Sequence, residues 1–276
     1  DSNNNVHFAA FDSSMQKVVE KVIHQATNSS TTTELDLAVI DTQGTSIVVW
    51  ESVGTIYSRK IDINGNMQEG AAAVTGPNTY YSKVTSTGLD GSYIITASQY
   101  VDGKYQIYVQ KFNADGSAQP AVFIDADANN AYTATYSSIS MLGDNGEFVV
   151  VFSGEDSTTG WKTRVFTQKF NSDGTTQGDV VTLDTLSDSE GVASTAISEI
   201  GTSGEYVVVW EFNTATDSKV YSQKVNADGT TTGNAPIRFD THSEFDLHAR
   251  QPSVSSIGSD GDYVISWTAV LPNDAG

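Results

Sequence analysis

The chain has 276 residues, a formal net charge of −20 and no cysteine. This acidity argues against nucleic acid and anionic membranes as partners, and the lack of cysteine excludes disulfides. No run of 18 apolar residues occurs, so no membrane span is predicted. The length is sufficient to bury a large core.

The chain opens with two predicted strands, His7–Phe11 and Val18–His24. They match the later segments 221–225 and 236–240, which close a repeated unit, so we expect them to be the last two strands of a blade. Helix propensity offers an alternative for Lys17–Gln25. Residues 1–5 are polar, and we expect the chain to be a monomeric module of a longer protein.

From Leu35 onward one unit repeats four times. Each unit has a glycine turn, an apolar strand, a loop of variable length, a second strand and a short turn that ends in glycine. The closing glycines, Gly65, Gly116, Gly174 and Gly229, are 51, 58 and 55 residues apart. Units of about this length with several strands each are typical of β-propeller blades.

The C-terminus supplies two more strands, Ser253–Ile257 and Tyr263–Trp267, and then stops. They correspond to the first half of a blade that the N-terminal strands would complete. The sequence therefore predicts an all-β, five-bladed β-propeller in a single domain, 1–276, with four-stranded antiparallel blades. The predicted blades cover about 35–77, 80–130, 131–189 and 190–243, and 253–270 is completed by 6–25.

The predicted loops after the second strands differ in length, whereas the turns after the first strands are uniform. Loops after strands two and four of a blade open on one face, and variable loops on a rigid scaffold are where binding usually occurs. Trp161 lies in such a loop, and Tyr100 and Tyr105 lie in the preceding one. Their rings could bind a sugar or a peptide, or could pack locally.

Acidic residues recur where the fourth strands end, at Asp125, Asp184 and Asp240. They could bind cations or sugar hydroxyls on the working face, and Asp184 and Asp240 are also the candidate carboxylates of a glycan hydrolase. We favour local capping of loop amides. Acids and histidines alternate over 240–248, which could hold a metal, although a solvated loop explains the same pattern.

The turns Asn171-x-Asp173-Gly174 and Asn226-x-Asp228-Gly229 resemble the opening of calcium loops. Asp173, Asp179 and Asp228 are therefore candidate calcium ligands. A hairpin turn with a left-handed glycine explains the same residues without an ion, and we favour it. The aromatic residues at the end of each apolar strand, Trp50, Phe152, Trp210 and Trp267, are predicted to pack between blades.

The repeat YVVVW…VYSQKVNADGT, with its siblings FVVVF…VFTQKFNSDGT and YIITA…IYVQKFNADGS, resembles propeller-type tandem repeats of large secreted bacterial surface proteins, including RTX-type adhesins. The resemblance covers nearly the whole chain. It implies a location on the bacterial cell surface, calcium in the wider protein, and a glycan or a cell-surface protein as partner. Five-bladed propellers also include lectins and glycan-cleaving hydrolases.

No motif of a catalytic nucleophile, zinc site or phosphate-binding loop is present. From sequence, the first hypothesis is therefore a non-catalytic binding module of an adhesin that recognises a glycan or surface partner. The alternative is a glycan-cleaving hydrolase that uses carboxylates near the propeller axis. A third possibility is a structural spacer that binds nothing.

Overall fold

A computed structural model describes residues 5–25, 32–68, 72–125, 132–156, 162–183, 191–213, 218–233, 236–239 and 248–270. Its regular elements are strands throughout: β1 Val6–Phe11, β2 Lys17–His24, β3 Thr32–Val39, β4 Ser46–Ser52, β5 Thr55–Ile61, β6 Ala72–Ala73, β7 Thr79–Ser86, β8 Tyr93–Val101, β9 Lys104–Phe112, β10 Val122–Ile124, β11 Tyr132–Leu142, β12 Glu147–Asp156, β13 Lys162–Phe170, β14 Thr176–Thr182, β15 Val192–Ile200, β16 Glu205–Asn213, β17 Ser218–Val225, β18 Ile237–Arg238, β19 His248–Ile257 and β20 Asp262–Val270. The described residues contain no helix that could cross a membrane.

Sixteen of these strands form four sheets of four strands each, with consecutive strands as neighbours. We call β3–β6, β7–β10, β11–β14 and β15–β18 the first to fourth blades. The first strand of the first, third and fourth blades pairs antiparallel with the second strand, and the second with the third. The all-β class and the four-stranded antiparallel blades predicted from sequence are thereby confirmed. The segment Lys17–Gln25 forms strand β2 and not a helix.

The chain separates into two compact units, residues 1–100 with 108–121 and residues 101–107 with 122–276. In the first unit, the first strands of successive blades, β3 and β7, lie side by side. In the second unit β15 lies beside β11 and β19. First strands that neighbour one another are the innermost strands of a propeller, so in each unit they mark the side nearest the axis.

The second strand of each blade is the most buried, because both of its faces are covered. Trp50, Phe152 and Trp210 are completely buried, each stacked on an aromatic residue of the third strand. Trp210 also shares a core with Val149 and Val151 of the third blade, as predicted, and Trp50 packs against β1–β2. Inter-blade packing by Phe152 stays a prediction. Trp267 differs, with 38% of its surface exposed, because β20 pairs with β19 alone.

The connections after the second strands are shorter than the sequence suggests. The predicted loop Ser153–Thr163 is largely strand, since β12 continues to Asp156 and β13 begins at Lys162. Likewise β16 continues to Asn213 and β17 begins at Ser218. Polar residues occupy these strand ends, and alternation of apolar residues does not detect a strand whose end is polar.

The turns between third and fourth strands have the hairpin geometry predicted for them. Gly65, Gly116, Gly174 and Gly229 have φ between 82° and 86°. In each of the last three, the glycine N–H donates to the carbonyl of the asparagine three residues earlier. A residue with a side chain is strained at such a positive φ, which explains why glycine ends the motif.

A lysine connects each of two blade pairs, and Lys60 is buried whereas Lys169 is half-buried. Lys60, at the end of the third strand of the first blade, donates from Nζ to the carbonyl oxygen of Ala114 at 2.8 Å, in the turn of the second blade. Lys169 makes the same bond to Ala227, at 2.6 Å, between the third and fourth blades. Lys60 also lies 5.2 Å from the centroid of the Tyr93 ring, and burial lowers its pKa.

We expect Lys60→Ala to lower the free energy of unfolding by about 1–3 kcal/mol, because the hydrogen bond from the charged, buried Lys60 side chain to a backbone carbonyl is lost. Urea unfolding measures this change. The matched control is Lys17→Ala in the same unit, where the ion pair with Glu20 is half exposed on both sides and the expected change is below about 0.5 kcal/mol. Equal effects of the two substitutions would contradict the buried role of Lys60.

The terminal hairpins β1–β2 and β19–β20 are each a two-stranded sheet. In the first unit, Val6, Phe8, Ala10 and Ile23 of β1–β2 are buried against Val48, Trp50 and Ile61 of the first blade. This hairpin therefore packs on the first blade as the outer half of a preceding blade would. That β1 also pairs with β20 in a joint fifth blade stays a prediction.

Candidate functional site

Each blade has two ends with different connections. At the end that we call the loop end, the chain leaves the second strand and enters the first. At the opposite turn end, the short glycine turns follow the first and third strands. The sequence places the variable connections at the loop end, and the polar side chains described next lie there.

The first strands carry a β-bulge near the loop end. The register shifts between Thr33 and Leu35, Tyr80 and Lys83, Thr135 and Ser138, Val192 and Ser194, and Arg250 and Ser253. Four of these bulges hold a residue other than glycine at positive φ, namely Glu34, Tyr81, Tyr136 and Gln251. Bulges re-aim side chains and often occur beside binding sites, although they also adjust strand twist.

In the second unit, Glu211 connects the fourth blade to the bulge of β19. Its side chain, in a residue that is only 5% exposed, accepts a hydrogen bond from the backbone N–H of Gln251 at 2.9 Å. The Ser194 hydroxyl donates to the same carboxylate oxygen at 3.3 Å. These bonds make Glu211 a positioning residue that fixes the loop end of the first strand.

Hydroxyl side chains fix the neighbouring first strands in the same unit. Thr195 donates from Oγ1 to the backbone oxygen of Tyr136 at 2.8 Å. Ser153 donates from Oγ to the backbone oxygen of Thr135 at 3.1 Å. The loop end therefore combines a rigid backbone with hydroxyl and carboxylate groups, a composition suited to recognising a polar ligand.

The first unit has two carboxylates that, like Glu211, accept a hydrogen bond from a backbone N–H. Glu51, in the position equivalent to Glu211, accepts a hydrogen bond from the Gly54 N–H at 3.2 Å. Asp36 on β3 accepts one from the Val84 N–H of β7 at 2.9 Å. Burial raises the pKa of Asp36, against the opposing effect of that N–H. Asp36 joins two first strands, which is sufficient to explain its burial.

Glu155 is a carboxylate at the loop end that the sequence reasoning missed. It lies on β12, three residues beyond Phe152, and is half-buried. It pairs across the sheet with Thr133 on one side and Thr163 on the other. The sequence places residue 155 in a loop, so no periodic signal singles it out.

The predicted aromatic residues are only partly described. Tyr100 is 46% exposed at the end of β8, and Tyr105 is half-buried at the start of β9. Both therefore lie at the loop end of the second blade. Trp161, Asp184, Asp240 and the loop 240–247 lie outside the described residues. Asp125 forms an ion pair with Lys104, and its capping of loop amides stays a prediction.

Two of the candidate calcium ligands accept hydrogen bonds within their own turns, and the third is exposed on a strand. In their turns, Asp173 and Asp228 each accept two hydrogen bonds on Oδ1, from the N–H and hydroxyl of Thr175 and Thr230 respectively. Asp179 is an exposed residue of β14. No group of three or more potential metal ligands occurs among the residues that the structure describes. Calcium binding stays a prediction.

The turn aspartate Asp228 predicts that the stability of the fold depends on pH. The Thr230 hydroxyl, and then its N–H, lower the pKa of Asp228 below its ordinary value of 3.8. A carboxyl whose pKa is lowered by folding stabilises the fold above the unfolded pKa and loses that effect as the pH falls through the folded pKa. We therefore expect Asp228→Asn to lower the melting temperature at pH 6 and to have a shrinking effect below pH 4.

Thermal unfolding from pH 3 to pH 7 measures this difference. Thr230→Val removes the hydroxyl that donates to Asp228. The difference in melting temperature between this variant and the wild type should also shrink below pH 4. A gap between wild type and Asp228→Asn that stays constant over this range would contradict the assignment.

A cleft of about 530 Å³ lies at the turn end of the second unit, between the third and fourth blades. Its lining includes Asp144, Glu147, Lys169, Ser203 and Ala227. The Lys169 ammonium already donates to Ala227 within it. The cleft is thus built from uniform turns, and we regard the loop end as the functional end.

Comparison with known proteins identifies solved structures with a similar fold. No protein family and no curated protein matches the sequence, so the proposed likeness to RTX-type repeats has no support. Solved structures do match. An α-L-arabinanase from Penicillium chrysogenum, in complex with arabinobiose, is 13% identical with a TM-score of 0.60, and the match covers 87% of this chain and 81% of that one.

Two further structures are similar to the same degree. A GH93 α-L-arabinofuranosidase from Fusarium graminearum, also with arabinobiose, is 14% identical with a TM-score of 0.60 and covers 85% of this chain and 74% of its own. Polysaccharide lyase Uly1 is 10% identical with a TM-score of 0.59 and covers 97% and 76%. The β-propeller architecture is shown by these matches.

These matches also correct the first functional hypothesis. The sequence suggested a non-catalytic binding module of an adhesin, whereas the solved structures just described are enzymes that act on glycans. The adhesin interpretation rested on repeat motifs that are structural, and such motifs specify strands and turns without specifying a ligand. It is therefore wrong as the main hypothesis.

Proposed function

We propose that this chain is a glycan-cleaving hydrolase whose substrate binds at the loop end of the blades. The observation that supports it most is the presence of carboxylates there, on a propeller similar to those of glycan-acting enzymes. Most glycoside hydrolases use two carboxyl groups, about 5–5.5 Å apart when configuration is retained and about 6.5–9.5 Å apart when it is inverted.

Among the described carboxylates of the second unit, Glu155 fits a catalytic role better than Glu211. The bonds from Gln251 and Ser194 commit Glu211 to the backbone of β19 and to a neighbouring side chain. Glu155 is half-buried and lies at the end of its strand. Asp184 and Asp240, the candidate carboxylates predicted from the sequence, follow fourth strands at the same end, and we propose one of them as the partner of Glu155.

The charge of the chain favours a neutral substrate. A net charge of −20 repels anionic polymers and leaves uncharged glycans unaffected.

Tyr100, with its exposed ring, and Tyr105 supply aromatic surface at the loop end of the second blade, and aromatic residues commonly line such sites. Arabinan is the first polymer to test, because two similar enzymes were solved with arabinobiose.

Secretion to the cell exterior and a calcium ion elsewhere in the protein stay predictions. A surface protein as partner is no longer needed to explain the loop end.

The test is an assay of the purified chain on arabinan, xylan, β-glucan, starch and a polyuronate, with reducing ends quantified over time. We expect release of reducing ends from at least one neutral polymer and none from the polyuronate. The hypothesis fails if no polymer yields product under conditions in which the protein is folded.

A further inference from the structure

The side of the third blade that faces the fourth blade changes from apolar to polar toward the loop end. Val149, Val151 and Val165 are buried there in a core shared with Tyr206 and Trp210 of the fourth blade. Further along β12, on the same side of the strand, come Ser153 and then Glu155, since alternate residues of a strand share a face.

The last row of this polar region consists of Thr133, Glu155 and Thr163, one residue from each of three adjacent strands. Glu155 lies directly opposite Thr133 in one ladder and opposite Thr163 in the other. Directly opposite residues of an antiparallel pair project to the same face. Their hydroxyl and carboxylate groups therefore share one side of the sheet. We call these three residues the polar row.

Thr163 in this row carries an unsatisfied polar atom. The residue is 4% exposed, and its buried hydroxyl oxygen has no hydrogen-bond partner among the residues that the structure describes. The next row shows how such a hydroxyl is normally satisfied, because Ser153 donates to the Thr135 backbone. A buried hydroxyl without a partner is unfavourable, and a native structure that retains one usually has a reason.

A glycine of the fourth blade lies beside Thr163. Gly191, just before β15, has no side chain, and a Cβ placed there would be 3.9 Å from the Thr163 hydroxyl. Apart from the chain neighbours of Gly191, no other atom of the described residues lies within 4 Å of that position. The unsatisfied hydroxyl is thus next to a residue without a side chain, at the boundary between two blades.

We propose that the polar row is a subsite that binds one sugar unit of a neutral glycan, with the Thr163 hydroxyl bonded to a sugar hydroxyl. This inference rests on the proposed function and adds to it a specific position in the fold. A carboxylate accepts from sugar hydroxyls, and threonine hydroxyls both donate and accept, so the row can bond to adjacent hydroxyls of one ring.

The experiment compares Thr163→Val with Thr163→Ser in the intact chain. Binding of arabinobiose, xylobiose, cellobiose and maltose is measured by calorimetry, together with the melting temperature and the hydrolysis of the neutral polymers. Thr163→Val removes the unsatisfied hydroxyl at nearly constant shape. It should raise the melting temperature by about 2–4 °C and weaken binding of the preferred disaccharide about five- to tenfold. Thr163→Ser should retain the affinity.

Thr167→Val is the matched control on the same strand. The Thr167 hydroxyl is buried and accepts a hydrogen bond from the Tyr206 hydroxyl at 3.3 Å, so its loss should lower the melting temperature and leave the affinity unchanged. Together the variants separate a ligand contact from a general effect of removing a hydroxyl from β13.

Unchanged affinity in Thr163→Val would overturn the subsite while leaving the proposed function intact, provided the wild type still cleaves a glycan. A fall in its melting temperature would also overturn the subsite, because it would show that the hydroxyl is already satisfied without sugar. A wild type that neither binds nor cleaves any of these glycans would instead overturn the proposed function, and the subsite with it.

Discussion

Replacing Glu155 with glutamine is expected to lower kcat/KM on the preferred neutral polymer by about 10²- to 10⁴-fold, the usual contribution of a positioned general acid or base. Glutamine keeps the size of the side chain and one acceptor oxygen, but it cannot exchange a proton. Because Glu155 is half-buried at a strand end, the fold should tolerate the change. Steady-state rates and a melting curve measured on the same preparation test both expectations.

Glu147→Gln is the matched control, since residue 147 begins the same strand at the turn end. It should change kcat/KM less than about twofold if catalysis takes place at the loop end. Asp184→Asn and Asp240→Asn complete the series, and one of them should match the loss seen at residue 155. Full activity of Glu155→Gln would exclude Glu155 from catalysis and leave the two aspartates as the candidate pair.

The second large effect concerns stability. Phe8→Ala is expected to lower the free energy of unfolding by about 3–5 kcal/mol, because it removes a buried ring from the core between the N-terminal hairpin and the first blade. Denaturant titration provides the measurement. Val18→Ala in the same hairpin, at a residue that is 53% exposed, should change the free energy by less than about 1 kcal/mol.

The same titration on Phe11→Ala tests the joint blade. Phe11 is 58% exposed in its two-stranded sheet. In two blades the residue equivalent to Phe11 is Phe112 or Phe170. Each stacks on an aromatic residue of the second strand, with ring centroids 4.9 Å apart for Phe112 and Tyr93 and 4.6 Å apart for Phe170 and Phe148. The repeat would place Phe11 opposite Tyr263 in the same way. A loss above about 2 kcal/mol supports the joint blade, and a loss below about 0.5 kcal/mol opposes it.

Local chemistry made much of this fold predictable from sequence. Glycine is required where φ is positive, as at Gly174 and Gly229, and these turns recur at nearly constant spacing. Strands covered on both faces, such as Glu205–Asn213, appear as runs of large apolar residues. These two signals together define the blades, and they do not depend on contacts that are distant in sequence.

The site was less predictable because its residues lie where those signals stop. The bulges at Tyr136 and Gln251 add a residue to a strand, which periodicity cannot distinguish from a variable connection. The sequence places Glu155 and Thr163 in a loop, because β12 ends and β13 begins with polar residues. Glu155 and Thr163 lie opposite each other because of the register between β12 and β13, and that register is set by the pairing of the two strands. The burial of Glu211 follows from its contact with the next first strand.

The most direct test of the account is the position of a bound sugar. Glu155→Gln should be crystallised with arabinobiose, or with the shortest oligosaccharide released from whichever polymer the wild type cleaves. The account predicts density for the sugar at the loop end, within hydrogen-bond distance of residue 155 and of the Thr163 hydroxyl. Sugar bound instead in the turn-end cleft beside Asp144 and Lys169 would contradict it.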